Sequence, residues 1–192
     1  SKFLCVFYEK MCFFLIFSLI LLEFCRTIGK RAIWKIISEV KALLHIVLVE
    51  PEIPQNTGSI GRMCVSTDTR LHLIKPLGFE LSDKYLKRAG MDYWQYLDLK
   101  IYENWKDFLN QNPDAVLYFF STKTERSFWE CPYEKNSFLV FGSESKGLDK
   151  TMYEKYQNQL YTIPMTGKFH RSLNLACSTG IILYEGLRRY LK

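Results

Sequence analysis

The sequence predicts an α/β domain whose sheet is mainly parallel and flanked by helices. From residue 44 onwards, short β-branched or aromatic runs alternate with helical stretches, which is typical of a parallel sheet with helical crossovers. No internal repeat and no linker rich in Pro, Gly or Ser interrupts this part of the sequence. The 192 residues, 48% hydrophobic and 24% charged, fit one globular domain, or one domain with an appendage.

Six short apolar runs are predicted to be the strands of a single sheet. They are residues 44–49, 71–74, 99–102, 115–120, 137–141 and 160–163. Three helices are predicted from the good N-cap residues that precede them. These are Asn56 before residues 57–66, Ser82 before residues 83–88, and Asn104 before residues 105–110.

The last predicted helix, residues 172–191, is the longest. Its apolar or small residues stand at positions 173, 176, 177, 180, 181, 184, 187 and 191. This helical spacing predicts that the face carrying Tyr184 is buried. Ser172 is predicted to cap the helix.

Residues 1–43 differ in character from the rest. They hold seven Lys or Arg and three Asp or Glu, a balance of +4, whereas residues 44–192 hold nineteen and seventeen, a balance of +2. The apolar run 11–22 has 12 residues, short of the roughly 20 that a spanning helix needs, and no small-x-small cleavage site follows it. We expect residues 1–43 to be an extension outside the functional domain. A membrane anchor and a secretory signal are the alternatives.

Several kinds of site are not indicated. The six cysteines are scattered, without a C-x-x-C pair or histidines at zinc spacing, so we expect neither a metal site nor a disulfide framework but a reduced, cytoplasmic protein. Residues 162–169 contain a Gly-Lys pair but not the spacing of a phosphate-binding loop. His45, His72 and His170 are widely spaced, which favours packed or surface histidines over catalytic ones.

Three polar loops follow predicted strands, where open α/β sheets bind their ligands. The first runs from residue 50 to Arg62 and carries two prolines and two glycines. The second, residues 141–148, contains Gly142 and the carboxylate of Glu144. The third, residues 163–176, contains Ser172, whose main chain and that of the next residue can offer free N–H groups to a ligand.

These loops resemble the three motifs of the SPOUT methyltransferases. The resemblance rests on Asn-Thr-Gly-x-Ile-x-Arg at 56–62, Phe-Gly-x-Glu-Ser-x-Gly-Leu at 141–148, and Ile-Pro-Met at 163–165 with Arg-Ser-Leu-Asn-Leu at 171–175. It extends over residues 44–192. The segments 50–54, 75–79 and 88–93 are similar to the TrmL (YibK) group, which methylates the ribose of the wobble nucleotide, cytidine or modified uridine, of leucine tRNAs.

The resemblance implies a C-terminal trefoil knot, S-adenosylmethionine as cofactor, tRNA as substrate and a homodimer. General folding rules would argue against a knot, so that expectation depends on the resemblance alone. The implied cofactor-binding residues are Phe120, Gly142, Ile163, Ser172 and Leu173. Neither a metal nor a membrane partner is implied.

Arg62 corresponds to the arginine that is critical in this family. A guanidinium group stays protonated in proteins, so we interpret Arg62 as a clamp on an RNA phosphate rather than as a base. Glu144, Arg171 and Asn174 are further candidate catalytic residues, and Tyr184 is a candidate for packing or for contact with substrate or a partner subunit. One alternative function is methylation of another tRNA position or of ribosomal RNA. A second alternative is that the protein is a non-catalytic RNA-binding or membrane-tethered module.

Overall fold

The computed structural model describes residues 43–81, 92–168 and 171–191, and these contain a six-stranded sheet. The strands are β1 (Leu44–Val49), β2 (Arg70–Ile74), β3 (Leu99–Tyr102), β4 (Leu117–Phe120), β5 (Ser137–Phe141) and β6 (Leu160–Tyr161). Their order is β3-β2-β1-β5-β4-β6, and every neighbouring pair is parallel. The predicted α/β class and all six predicted strands are confirmed.

Two strands are shorter than predicted. β4 begins at Leu117 and β6 ends at Tyr161, so the apolar pattern overestimated both. After β6, Thr162 makes only an isolated bridge to Ser127. Ile163 precedes a proline, which has no N–H to donate to a neighbouring strand.

Four α-helices accompany the sheet within the described residues. They are α1 (Pro54–Ser66), α2 (Trp105–Gln111), α3 (Lys150–Lys155) and α4 (Leu175–Leu187), with short 3-10 turns at Asp92–Tyr96, Phe128–Glu130 and Gln157–Gln159. The six-residue α3 was not predicted. The helix predicted at residues 83–88 lies outside the described residues. α4 covers only residues 175–187 of the predicted 172–191, and with 13 residues it is no longer than α1, so the two share the greatest length among the described helices.

The predicted helix caps are right once and wrong twice. Asn104 caps α2 by accepting a hydrogen bond from the N–H of Asp107 at 2.9 Å. α1 begins at Pro54, two residues before Asn56, because the fixed φ of proline suits the first helical position. α4 is capped by Asn174, not Ser172: its Oδ1 accepts from the N–H groups of Ala176 and Cys177 at 2.8 and 3.3 Å.

The core has two layers, one on each face of the sheet. Ile46 and Leu48 of β1 belong to the layer that includes Ile60 of α1 and Leu183 of α4. The alternate residues of β1, such as Val47, belong to the layer that includes residues of α2 and α3. Successive side chains of a strand point to opposite faces, so this apolar strand, like others in a parallel sheet, is buried on both sides.

The buried face of α4 was predicted correctly at Leu187 and wrongly at most of the other positions. The helix buries Thr179, Ile182, Leu183, Gly186 and Leu187. Ile181 and Tyr184, assigned to the inner face, are 41% and 54% exposed, and Leu191 beyond the helix is 60% exposed. α4 is apolar around most of its circumference, so periodicity alone could not select the inner face.

Two buried histidines form a hydrogen-bonded chain between β1 and β2. Asn136 Oδ1 accepts from Nε2 of His45 at 3.0 Å, and His45 Nδ1 lies 3.1 Å from Nε2 of His72. Nδ1 of His72 lies 2.9 Å from the hydroxyl of Tyr102. An amide oxygen only accepts, so Nε2 of His45 donates, and one proton on each ring then satisfies every contact of the chain with both histidines neutral. Burial lowers the pKa of His45 and lowers that of His72 well below its usual value.

We expect the histidine pair to make the protein less stable in acid. Because both folded-state pKa values lie below the value of about 6.5 in the unfolded chain, the unfolded chain binds more protons below that pH. The contribution of the two histidines to the free energy of unfolding should therefore be fully present above pH 6.5. Below this pH, the free energy of unfolding should fall by up to about 1.4 kcal/mol per histidine for each pH unit. Urea denaturation at pH 7.5, 6.5 and 5.5 measures this slope. His45→Gln should reduce the slope, and an equal slope in the variant would contradict the assignment.

None of the helices in the described residues is long and apolar enough to cross a membrane. The apolar run 11–22 lies outside those residues.

Candidate active site

The loops after β1, β5 and β6 meet at the carboxyl edge of the sheet. β1 and β5 are neighbours at its centre, with β2 and β3 on one side and β4 and β6 on the other. Ligands of open α/β sheets bind where the strand order reverses in this way. A cleft of about 420 Å³ opens there, a size within the range of small-molecule sites.

The lining of the cleft combines apolar side chains with polar loops. Phe120, Ile163 and Leu173 contribute apolar surface, and residues 142–147 and 172–174 contribute glycine, hydroxyl and amide groups. Such a lining suits a ligand with an apolar ring system and a few polar groups.

The structure brings together seven of the ten predicted site residues. Those that line the cleft are Phe120, Gly142, Glu144, Ile163, Ser172, Leu173 and Asn174. Arg62, Arg171 and Tyr184 do not line it and are exposed. His170 lies outside the described residues.

The carboxylate of Glu144 holds the loop that leads into α1. Its Oε2 accepts from the N–H of Glu52 at 2.8 Å, and its Oε1 accepts from the N–H of Ile53 at 3.3 Å and from the amide of Asn56 at 2.8 Å. Ile53 is the N-cap of α1 and has no side-chain hydrogen bond of its own to offer. Glu144 therefore supplies the acceptor, and its negative charge is favourable at a helix N-terminus.

Asn56 connects all three loops. It donates to Glu144 of the second loop, and its Oδ1 accepts from Nδ2 of Asn174 at 2.9 Å. Asn174 in turn caps α4. The positions of the first loop, the second loop and the start of α4 are thus fixed by one continuous hydrogen-bonded chain.

A second link joins the first two loops in the opposite direction. The carboxylate of Glu52 accepts from the N–H of Ser145 at 3.2 Å and from its hydroxyl at 2.6 Å. Each loop therefore gives one carboxylate to the other's main chain.

The second loop closes on itself at Gly142. The N–H of Ser143 donates to the carbonyl of Gly147 at 3.2 Å, and the N–H of Gly147 donates back to Ser143 at 2.9 Å. A Cβ at Gly142 would lie 2.1 Å from the carbonyl carbon of Gly147 and 2.3 Å from the nitrogen of Leu148. Only glycine allows this approach of main chain to main chain.

Comparison with known families decides what kind of site this is. The model of the SpoU rRNA Methylase family matches residues 43–184. The chain belongs to the SpoU methylase family. The prediction of an RNA methyltransferase from the three loops is thereby confirmed.

Some relatives of this SpoU methylase are named for methylation at position 34 of tRNA. A tRNA (cytidine(34)-2′-O)-methyltransferase of Saccharophagus degradans is 42% identical over 149 residues, which cover 77% of this chain and 96% of the relative. A solved structure described as giving structural insights into the 2-OH methylation of C/U34 on tRNA is 41% identical. It has a TM-score of 0.71 and the match covers 77% of this chain and 95% of that one.

A more distant structure shares the fold. The SpoU methyltransferase AviRb from Streptomyces viridochromogenes, solved in complex with AdoMet, has a TM-score of 0.67 at 19% identity. The match covers 79% of this chain and 62% of that one.

Arg62 of this SpoU methylase lies outside the cleft, on the exposed surface of α1. Its guanidinium lies 5.8 Å from the ring centroid of Tyr93, and the hydroxyl of Tyr93 donates to the carbonyl of Gly58 at 2.7 Å. The aromatic ring therefore orients Arg62 from the neighbouring 3-10 turn. None of the described residues offers Arg62 a carboxylate within 4.0 Å.

Several residues of the site were not predicted from the sequence. Asn56 was interpreted as a helix cap and as part of the first family motif but was given no role in the site, and Ser121, Lys123 and Tyr153 were not singled out, although all four line the cleft. The signal for Ser121 and Lys123 was available, because both follow the end of β4 at the same edge of the sheet. No local signal marks Tyr153, which comes from the unpredicted α3.

No group of three or more His, Cys, Asp or Glu side chains that could hold a metal ion occurs in the described part of the chain.

We expect Glu144→Gln to loosen the site and destabilise the fold. A carboxamide retains a single acceptor oxygen, so its NH2 group would face at least one of the N–H donors now bound by the carboxylate. The free energy of unfolding should fall by about 1–3 kcal/mol, measured by urea denaturation. Glu154→Gln is the control, since Glu154 is an exposed residue of α3 that pairs with Lys150 at 3.8 Å, and it should change stability by less than about 1 kcal/mol. Equal effects would contradict the role of Glu144.

Proposed function

We propose that this chain transfers a methyl group from S-adenosylmethionine to the ribose 2′-hydroxyl of nucleotide 34, the cytidine or modified uridine at the wobble position of leucine tRNAs. The observation that carries the proposal is the meeting of the three family loops at one cleft. The relatives named for methylation at position 34 support the nucleotide. The AviRb structure with AdoMet supports the cofactor.

Phe120, Gly142, Ile163, Ser172 and Leu173 would hold the cofactor. The lining of the cleft fits S-adenosylmethionine, because the adenosine part of this cofactor has a flat apolar ring and no phosphate. Apolar walls and main-chain groups can bind such a nucleoside without a phosphate-binding loop. When bound, S-adenosylmethionine supplies a methyl group on a positively charged sulfur.

Arg62 is proposed to position the RNA. Transfer requires the 2′-oxygen to lie in line with the methyl–sulfur bond, so holding the nucleotide supplies much of the catalysis. An exposed guanidinium, oriented by Tyr93 and without a carboxylate partner among the described residues, can bind a phosphate through two hydrogen bonds. The proton of the 2′-hydroxyl passes to solvent as the oxygen attacks.

Glu144 and Asn174 are proposed to act through the loops that they hold. Their side chains bind the first loop and the start of α4, and these segments carry groups that face the cleft. Arg171, exposed beside Ser172, is proposed as a second cation for the RNA backbone.

The chain around the cleft is proposed to form a trefoil knot. The N–H of Thr162 donates to the carbonyl of Arg126, and the N–H of Phe128 donates to that of Thr162, both at 2.8 Å. Thr162 thus pairs with the 121–128 connection at the sheet edge, and Thr162, Ile163 and Met165 share the cleft with residues 142–148. α4 lies near the central strand β1. This closeness of the three segments supports the proposal of a threaded connection.

A homodimer is proposed, with α4 at its interface. Ile181 and Tyr184 form an exposed apolar stripe on α4, and apolar aromatic surface is typical of such interfaces. Dimerisation would also place two weakly basic domains side by side for RNA binding. Sedimentation equilibrium should give the mass of two chains, and Tyr184→Asp should reduce it to one; a monomeric wild type would refute the dimer.

We propose residues 44–192 as the methyltransferase domain and residues 1–43 as an extension outside it. The match of the family to residues 43–184 supports the domain. We place the enzyme in the cytoplasm; the free thiols of Cys64, Cys131 and Cys177 are in keeping with a reducing compartment.

Methylation mapping tests the function. Total tRNA from a strain that lacks this activity would be incubated with the purified protein and S-adenosylmethionine, and 2′-O-methyl groups would be mapped along each tRNA. The expected product is methylation of nucleotide 34 in leucine tRNAs. Methylation at another tRNA position, or only of ribosomal RNA in a parallel reaction, would refute the substrate. No methylation of either RNA would refute the reaction.

A further inference from the structure

Two lysines line the cleft without a part in the interactions described above. Lys123 comes from the connection after β4, and Lys146 comes from the loop after β5. Both side chains are exposed. Neither has a carboxylate within 4.0 Å among the described residues.

Lys123 is held in place at the rim. Its ammonium lies 5.0 Å from the ring centroid of Tyr153, and the hydroxyl of Tyr153 lies 2.7 Å from Oγ of Ser121. The same Oγ accepts from the N–H of Lys123 at 3.2 Å. An aromatic face and a hydrogen-bonded turn therefore restrict a side chain that is otherwise flexible, which lowers the entropy lost when it binds a ligand.

The other charge in the cleft does not neutralise these lysines. Glu144 is the acidic residue among the described lining residues, and its oxygens are occupied by two main-chain N–H groups and the amide of Asn56. The cleft therefore presents two ammonium groups against one carboxylate that is already bound. A site with this balance favours an anionic oxygen in its ligand.

We propose that Lys123 and Lys146 form an oxyanion-binding rim on the cleft. Charge-assisted hydrogen bonds from ammonium groups bind carboxylate and phosphate oxygens alike. Two sources of such oxygens exist at this site if the proposed function is right, on which this inference rests: the carboxylate of the cofactor's amino-acid part and a phosphate of the bound RNA.

Two nucleosides separate these sources. S-adenosylhomocysteine carries the carboxylate, whereas 5′-methylthioadenosine keeps the nucleoside and the sulfur and lacks it. Calorimetry would measure both affinities for the wild type, Lys123→Gln, Lys146→Gln and the double variant. Filter binding of a leucine tRNA in the presence of S-adenosylhomocysteine, at several salt concentrations, would measure the RNA affinity. Lys106→Gln is the control, because Lys106 is an exposed lysine on α2 that does not line the cleft.

We expect each single lysine variant to lose about three- to tenfold in affinity for either S-adenosylhomocysteine or the tRNA. This is the range of a charge-assisted hydrogen bond at an exposed site. Weaker binding of S-adenosylhomocysteine with unchanged binding of 5′-methylthioadenosine supports the carboxylate. Unchanged binding of both nucleosides with weaker tRNA binding and a smaller salt dependence supports the phosphate.

Two results would contradict the proposal of an oxyanion-binding rim. They are unchanged affinity for all three ligands, and equal losses for the two nucleosides, which would show that the lysines only shape the cleft. A wild-type protein that binds neither nucleoside would instead refute the cofactor site of the proposed function, and this outcome is independent of the lysine variants.

Discussion

Arg62→Ala is expected to reduce methyl transfer by a factor on the order of 10²–10³ while leaving the affinity for S-adenosylhomocysteine unchanged. The reason is the position of Arg62, which is exposed on α1 beside Tyr93 and outside the cleft that would hold the cofactor. Because Arg62 does not line the cleft, its loss removes a contact to the RNA and leaves the walls of the cofactor site in place. Single-turnover methylation of a leucine tRNA and calorimetry with S-adenosylhomocysteine measure the two quantities separately.

Arg188→Ala and Arg62→Lys are the matched controls for this prediction. Arg188 is also an exposed arginine near a helix end, but it pairs with Glu185 at 2.7 Å, so its loss should leave both quantities unchanged. Arg62→Lys keeps the charge and loses the bidentate geometry, and it should recover only part of the rate. If Arg62→Ala lost activity and cofactor affinity in equal proportion, Arg62 would belong to the cofactor site instead.

The strands could be predicted from sequence because each is a short apolar run, and a parallel sheet covered on both faces requires such runs. α2 was predictable for a similar local reason, since Asn104 precedes it and bonds the main chain within four residues. The orientation of α4 was not predictable. Ile181 and Leu183 are equally apolar, and only the shape of the sheet and of α1 decides which of them is buried.

The loops that form the candidate site could be predicted from sequence, but the hydrogen bonds between these loops could not. Glycines, polar residues and strand ends indicated the segments around Gly142 and Ser172. The contacts of Glu144 with Glu52 and Asn56 join residues 88 to 92 positions apart, and no pattern within either loop specifies the partner. Such pairs depend on the parallel pairing of β1 with β5, which brings the two loops together after the sheet has formed.

We expect Gly142→Ala to weaken cofactor binding and to destabilise the protein more than any other single methyl group added to this site. The new Cβ would lie 2.1 Å from the carbonyl carbon of Gly147 and 2.3 Å from the nitrogen of Leu148. Both are main-chain atoms, so no rotation of a side chain can relieve the contact. The loop must open instead, which breaks the two hydrogen bonds between Ser143 and Gly147.

Opening this loop affects more than its own stability, because Glu144 moves with it and releases the start of α1. We therefore expect the free energy of unfolding in urea to fall by about 3 kcal/mol and the affinity for S-adenosylhomocysteine to fall at least about tenfold. Gly167→Ala is the control, since a Cβ at Gly167 would have no atom within 4 Å and should change neither quantity. A Gly142→Ala protein with wild-type stability and affinity would mean that the loop can open without cost. The first two loops would then owe their positions to the contacts between Glu52 and Ser145, and not to the closure at Gly142.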